Sequence, residues 1–176
     1  MQLATDRLIL RELAESDAQR LFEIESAPDF GRYLERYSQS VEEAAEYLRG
    51  SVAATQLVPR LVYDFAVVRE DVMIGRAGMK RGETEPRMAM LWYAIDPAHQ
   101  GHGYATEAAH AVLRFAFEEL ELHRVWADAD PRNAASVRVM ERLGMRREAH
   151  HLENICIRGE WCGSVICAML KREWPT

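Results

Sequence analysis

The chain has 176 residues, 48% of them hydrophobic and 28% charged, which excludes a disordered or fibrous protein and is enough to bury one sizeable core. Lys and Arg number 22 against 28 Asp and Glu, and the net charge of −6 argues against a broad electrostatic grip on nucleic acid. No apolar run approaches the ~20 residues of a membrane span, and the N-terminus has no long apolar secretory core. The three cysteines, Cys156, Cys162 and Cys167, are odd in number, lie close together and lack CxxC spacing. They read as core thiols in a reducing cytoplasm rather than as a disulfide framework.

Neither a repeat nor a Pro/Ser-rich linker interrupts the sequence, so residues 1–176 are expected to form a single domain. Leu8–Glu12 reads as a first strand. Ser16 and Asp17 are candidate N-caps for a short helix carrying Leu21, Phe22 and Ile24. Ala27–Ser38 is aromatic and irregular, with Tyr33 and Tyr37 placed to line an acceptor pocket or simply to pack. Ser40 and Glu43 have capping-box spacing and open a second helix with Ala44, Ala45 and Leu48 on its apolar stripe. Tyr63–Val68 and Met73–Met79 predict a hairpin around Glu70-Asp71. Met88–Ile95 is almost wholly apolar, as a strand covered on both faces would be. A helix is expected from about Ala105, with Ala108, Val112, Phe115 and Ala116 at helical spacing. Arg124–Ala129 reads as the next strand. Asn133 caps a helix that Gly144 stops, and Arg146–Lys171 holds two or three more strands. The alternation predicts an α/β (α+β) fold, a mixed sheet flanked by helices.

The chemically informative stretch is Gln100-Gly101-His102-Gly103-Tyr104-Ala105, between an apolar strand and a helix. Free N–H groups at a helix start carry about half a positive charge, and glycines allow a phosphate to come close. The result is a pyrophosphate cradle that needs no lysine. A tight turn without a ligand is the simpler reading of the glycines alone. A Walker loop is excluded because no Lys-Ser/Thr follows, and the glycine spacing does not fit a dinucleotide fingerprint.

Gln100-x-x-Gly103-x-Ala105 matches the pyrophosphate motif of the GNAT superfamily of acyl-CoA N-acyltransferases, and the chain resembles that family over nearly its whole length. "DPAHQGHGYATEA", "NAASVRVMERLGM", the opening "TDRLILRELAESDAQRLFEI" and the tail "ENICIRGEWCGSVICAMLKREW" are similar to the branch that acetylates ribosomal-protein N-termini. The resemblance implies a partly splayed sheet with acetyl-CoA as co-substrate. The pantetheine arm would meet backbone at Tyr93, Ala94 and Ile95. Gln100, Gly101, His102, Gly103, Tyr104 and Ala105 would hold pyrophosphate, and Asn133 would contact the pantetheine. Ser136 would stand near the thioester sulfur and assist departure of the thiolate. A plain first-turn serine is the simpler alternative.

Two departures from the family pattern matter. The tyrosine that many members carry seven residues after the asparagine is Met140 here, and a thioether cannot donate a proton. The central strand also lacks the usual glutamate, leaving Glu153, Asp128 and Glu12 as candidate bases. Of these Glu153 is taken forward as catalytic, against the simpler reading of a solvated strand residue. Trp161-Cys162-Gly163 puts glycine where such tails often carry aspartate. His99-x-x-His102 and His150-His151 lack a third ligand at metal spacing, so no metal is expected.

An α-amine titrates about 2.5 units below lysine, so freeing lysine at neutral pH costs about 3.4 kcal/mol more. A site without a central-strand carboxylate therefore suits the α-amine of a peptide or protein N-terminus. The alternatives are a small amine, such as an antibiotic or polyamine, and a catalytically idle CoA-binding module. A nucleotide-binding protein is a more distant rival. Neither nucleic acid nor membrane is expected as a partner. The apolar strand Val165–Leu170 fits either a homodimer seam or the interior of one subunit.

Overall fold

A computed structural model describes residues 1–175. One eight-stranded sheet runs through the molecule: β1 (Gln2–Ala4), β2 (Ile9–Glu12), β3 (Val62–Arg69), β4 (Val72–Arg81), β5 (Met88–Ile95), β6 (Arg124–Ala129), β7 (Arg146–Ile157) and β8 (Glu160–Leu170). Their spatial order is β1-β2-β3-β4-β5-β6-β8-β7. All neighbours are antiparallel except β5 and β6. The helices are α1 (Ala18–Glu25), α2 (Val41–Ala54), α3 (Tyr104–Arg114), prolonged by a π-helical turn at Phe115–Glu119, and α4 (Ala134–Arg142).

Period-two alternation divides the strands between two cores. On one face Tyr63, Phe65 and Val67 of β3 and Ala89 and Leu91 of β5 pack with Ala108, Val112 and Phe115 from α3 and its extension. On the other, Ala66 and Val68 pack against Leu21 and Ile24 of α1 and Ala44 and Leu48 of α2. The expected mixed sheet flanked by helices is thus found.

The parallel pair β5/β6 matches Met88 with Arg124, Ala89 with Val125 and Met90 with Trp126, and pairing stops there. From Leu91 to Ile95 one edge of β5 is free of a strand partner. This is the splay that positions the site.

Local details refine the expectations. The first strand is Gln2–Ala4, and Leu8–Glu12 contributes the second. Asp17 stands at the N-cap of α1, but its side chain makes no cap hydrogen bond. Its carboxylate takes Arg11 at 2.6 Å and the Ala14 N–H at 2.9 Å, fixing the turn before the helix. Ser40 does cap α2, accepting from Glu43 N–H at 3.2 Å, while the Glu43 carboxylate reaches back to Gln39 N–H at 2.7 Å. Glu70 and Asp71 form the β3/β4 turn, both with positive φ (48° and 65°). Val165–Leu170 lies inside the chain, between β6 and β7, where Val165, Cys167, Ala168 and Met169 are buried. Cys156 is exposed rather than a core thiol, because it falls on the sheet's outermost strand; Cys162 and Cys167 are buried. No described helix is long and apolar enough to cross a membrane.

Candidate functional site

A cavity of about 390 Å³ opens where β5 loses its neighbour. Tyr93, Ala94 and Ile95 line it from the strand, Gln100, Gly101, Gly103, Tyr104 and Ala105 from the loop and first turn of α3, and Asn133 and Ser136 from the start of α4. All the residues picked out by the resemblance converge here except His102; Glu153, the candidate base, does not.

The loop owes its shape to two glycines. Gly101 and Gly103 have φ of 82° and 83°, which costs any residue with a Cβ roughly 1–2 kcal/mol. Gly103 begins α3 without a side-chain cap, unlike α4, where Asn133 Oδ1 accepts from Ser136 N–H at 3.1 Å. The first N–H groups of α3 have no intrahelical acceptor and border the cavity. Thr106 adds a hydroxyl from the same turn, and its Oγ1 is buried without a hydrogen-bond partner. An orphaned buried hydroxyl, uncapped N–H groups and a concave glycine loop fit an anionic ligand. Thr106 was not singled out from sequence. Its signal is its place in the first turn, because helix Cβ atoms lean toward the N-terminus.

The remaining loop residues hold this geometry. Gln100 Nε2 donates to the Ile95 carbonyl at 3.0 Å, tying the loop to the end of β5. His102 stacks on Tyr104 with centroids 5.6 Å apart, is exposed, and stands outside the cavity lining. Arg7 donates to the His102 carbonyl at 3.1 Å and through Nε to Glu107 at 2.7 Å. Thr5 also donates to Glu107, at 2.6 Å. The N-terminal segment thereby clamps the opening of α3.

At the inner end Tyr93 and Ser136 meet. The Tyr93 hydroxyl donates to the Ser136 carbonyl at 3.0 Å and lies 3.0 Å from Ser136 Oγ. Burial pushes the Tyr93 phenol up to about 12, so it stays protonated at neutral pH. Met140 is fully buried in the core.

Of the candidate bases, Glu153 lies exposed at the β7 bulge with φ 46° and lines neither this cavity nor the neighbouring one. It sits on the sheet's outermost strand, which β8 and β6 separate from the seam. Glu12 loses water on folding, but Arg60 at 2.6 Å and the N-terminal ammonium at 3.5 Å hold its carboxyl below the ordinary range. Asp128 is exposed too and lines neither cavity, but it follows Trp126 on β6 on the face opposite the buried Val125 and Ala127, beside the open seam. Loss of water raises its carboxyl above the ordinary carboxylate range, and the Glu35 carboxylate adds to the shift.

The opposite face of β5 covers a buried polar layer. Asp64 accepts from Trp92 Nε1 and Ser51 Oγ, each at 3.2 Å, and from the Tyr47 hydroxyl. Arg76 donates to the Tyr47 hydroxyl at 2.8 Å and pairs with Glu25 at 3.3 Å; Glu25 accepts from Ser38 N–H at 2.6 Å. Glu25 and Ser38 line a second cavity of about 510 Å³ with Tyr37 and Arg158. Tyr33 lines the first cavity instead. The sequence signal for this layer is two charges, Asp64 and Arg76, within otherwise apolar strands.

Comparison with known proteins agrees with this construction. The sequence profile of the acetyltransferase (GNAT) domain matches residues 7–146. An uncharacterized N-acetyltransferase of Bacillus subtilis (strain 168), YnaD, is 31% identical over 175 residues, covering 99% of each chain. The [ribosomal protein uS5]-alanine N-acetyltransferase of Escherichia coli (strain K12) is 26% identical over 184 residues, spanning 99% of this chain and 93% of its own. The crystal structure of a GNAT-family acetyltransferase from Bacillus anthracis superposes with a TM-score of 0.86 at 27% identity, covering 98% of this chain and 100% of that one. Glycine loop, splayed strand and these likenesses agree: the chain belongs to the GNAT acetyltransferases, enzymes that take their acetyl group from acetyl-CoA.

Proposed function

We propose that this N-acetyltransferase acts on the α-amine of a peptide or protein N-terminus. The observation that carries the reading is the open seam beyond Met90, with Tyr93 and Ser136 on one side and Asp128 on the other. The relative that acetylates the alanine of a ribosomal protein supports the acceptor class. The two cores share one continuous sheet, which supports a single domain over residues 1–176. The free cysteines suit a reducing cytoplasm.

Acetyl-CoA supplies the activated acyl group. The α3 N-terminus, Gly101, Gly103 and the Thr106 hydroxyl would hold its pyrophosphate. The free edge of β5 at Tyr93–Ile95 would pair with its pantetheine amides, and Asn133 would close the other side. Asp128 takes the proton that the acceptor nitrogen loses as its bond to the acyl carbon forms. Ser136 Oγ–H donates a hydrogen bond to the sulfur as the carbon–sulfur bond breaks, and the departing thiolate takes its proton from water. Tyr93 keeps its own proton and orients Ser136. An α-amine needs only modest help to lose its proton, which a single carboxylate with a raised pKa can supply.

The test is release of CoA thiol with a panel of acceptors: peptides with free N-termini, the same peptides N-blocked but carrying lysine, polyamines and aminoglycosides. Turnover confined to free N-termini is expected. Comparable turnover on the N-blocked lysine peptides overturns the α-amine reading, and preference for the small amines moves the function to small-molecule modification.

A further inference from the structure

The cofactor cavity is electropositive although the chain carries a net charge of −6. No Asp or Glu lines it, and its charged side chains are Arg138 and Arg142, with His99 the other titratable base. The two arginines are four residues apart on α4, hence on one face and one turn from each other. Among the described residues neither makes an ion pair or a side-chain hydrogen bond. The arginines elsewhere round the loop are engaged: Arg7 with Glu107 and Arg69 with Glu70. An exposed arginine without a partner is common. Two of them, stacked on the wall of a cavity that lacks any carboxylate, point to an anion.

A phosphate count says which anion. Coenzyme A carries a pyrophosphate and a separate 3′-phosphomonoester. The glycine loop, the α3 N-terminus and Thr106 account for the pyrophosphate and leave the monoester without a partner. A phosphomonoester holds nearly two negative charges at neutral pH and three acceptor oxygens, and the planar guanidinium fork matches it. Cβ atoms about 5–6 Å apart allow two such forks to close on one phosphate.

We propose that Arg138 and Arg142 form the subsite for the 3′-phosphate and make the enzyme select coenzyme A over its 3′-dephospho form. The proposal rests on the reading of the cavity as the cofactor site.

The test is calorimetric binding of coenzyme A and 3′-dephospho-coenzyme A to the wild-type protein and to Arg138→Ala, Arg142→Ala and the double variant. Circular dichroism confirms folding, which surface alanines on a helix should preserve. The wild type is expected to bind coenzyme A roughly 10–100-fold more tightly than the dephospho form. The double variant should bind both ligands equally, at the wild-type affinity for the dephospho form, and its binding should depend less on salt. Equal wild-type binding of the two ligands overturns the subsite and leaves the cavity reading intact. Parallel loss of both ligands in the variants also overturns it and assigns the arginines to the pyrophosphate. Failure of the wild type to bind either ligand overturns the cavity reading as well.

Discussion

Tyr93 places a phenol against Ser136 from the neighbouring strand, and burial keeps that phenol protonated. It can therefore orient the serine hydroxyl while staying neutral itself. Ser136→Ala should lower kcat by roughly 100-fold, the cost of removing one donor aimed at developing charge. Tyr93→Phe should lower it by roughly tenfold with little change in KM for acetyl-CoA, since the ring is kept and only an orienting hydrogen bond is lost. Both losses should shrink with a thioester of a more acidic thiol, which leaves unaided. Steady-state rates on the two thioesters check this.

Asp128 makes a second prediction at this scale. A base must be ionised, and loss of water has raised this carboxyl. The acid limb of kcat/KM for the acceptor should therefore lie above the pH at which an ordinary carboxylate titrates, with activity lost as pH falls through it. Asp128→Asn should abolish that limb and cut kcat/KM by roughly 100-fold. An unchanged limb in the variant would remove Asp128 from the mechanism.

At the scale of elements, the strand–loop–helix unit from Met88 to Arg114 carries most of the site, and its glycines are its weakest tolerance. A Cβ on Gly103 would meet Arg7 at 3.6 Å, ordinary contact, so the penalty of Gly103→Ala is in the backbone. With φ of 83° it should cost roughly 1–2 kcal/mol and raise KM for acetyl-CoA; thermal unfolding and initial rates measure the two effects. This unit was legible in sequence because its signals are local: an apolar run, two glycines, then helical spacing. The cap of α2 and the Glu70-Asp71 turn were readable for the same reason. Gln2–Ala4 was missed because three residues carry no period, and its pairing with β2 is what makes it a strand. Glu153 falls away from the cavity because the strand order, which the sequence pattern does not reveal, puts β7 at the sheet's edge.

On the scale of the whole molecule, the polar layer between β3, β4, β5 and the α1–α2 pair is the feature sequence could not assemble. Its members, from Glu25 to Trp92, come from five elements. Glu25 and Asp64 are 2% and 4% exposed, and Arg76 is the cation beside them. Arg76→Met should remove about 3–5 kcal/mol of stability by leaving buried carboxylates uncompensated. The deficit should narrow as pH falls and Asp64, whose carboxyl burial raises, takes up a proton. Urea titrations at neutral and acid pH read both effects.

The short turn Phe30–Tyr33 stands between the two cavities. Phe30 and Tyr33 line the cavity beside β5, and Gly31 and Arg32 line the other. Arg158 of the β7–β8 turn fastens it through the Gly31 carbonyl at 2.5 Å. One four-residue wall thus borders both cavities. Whatever the first ligand does to settle it alters the affinity left for the second, and by linkage the debt is mutual. Two rooms that share a partition are expected to be coupled, and the apparent affinity of a ligand in one is then a function of occupancy next door rather than a constant of that ligand alone.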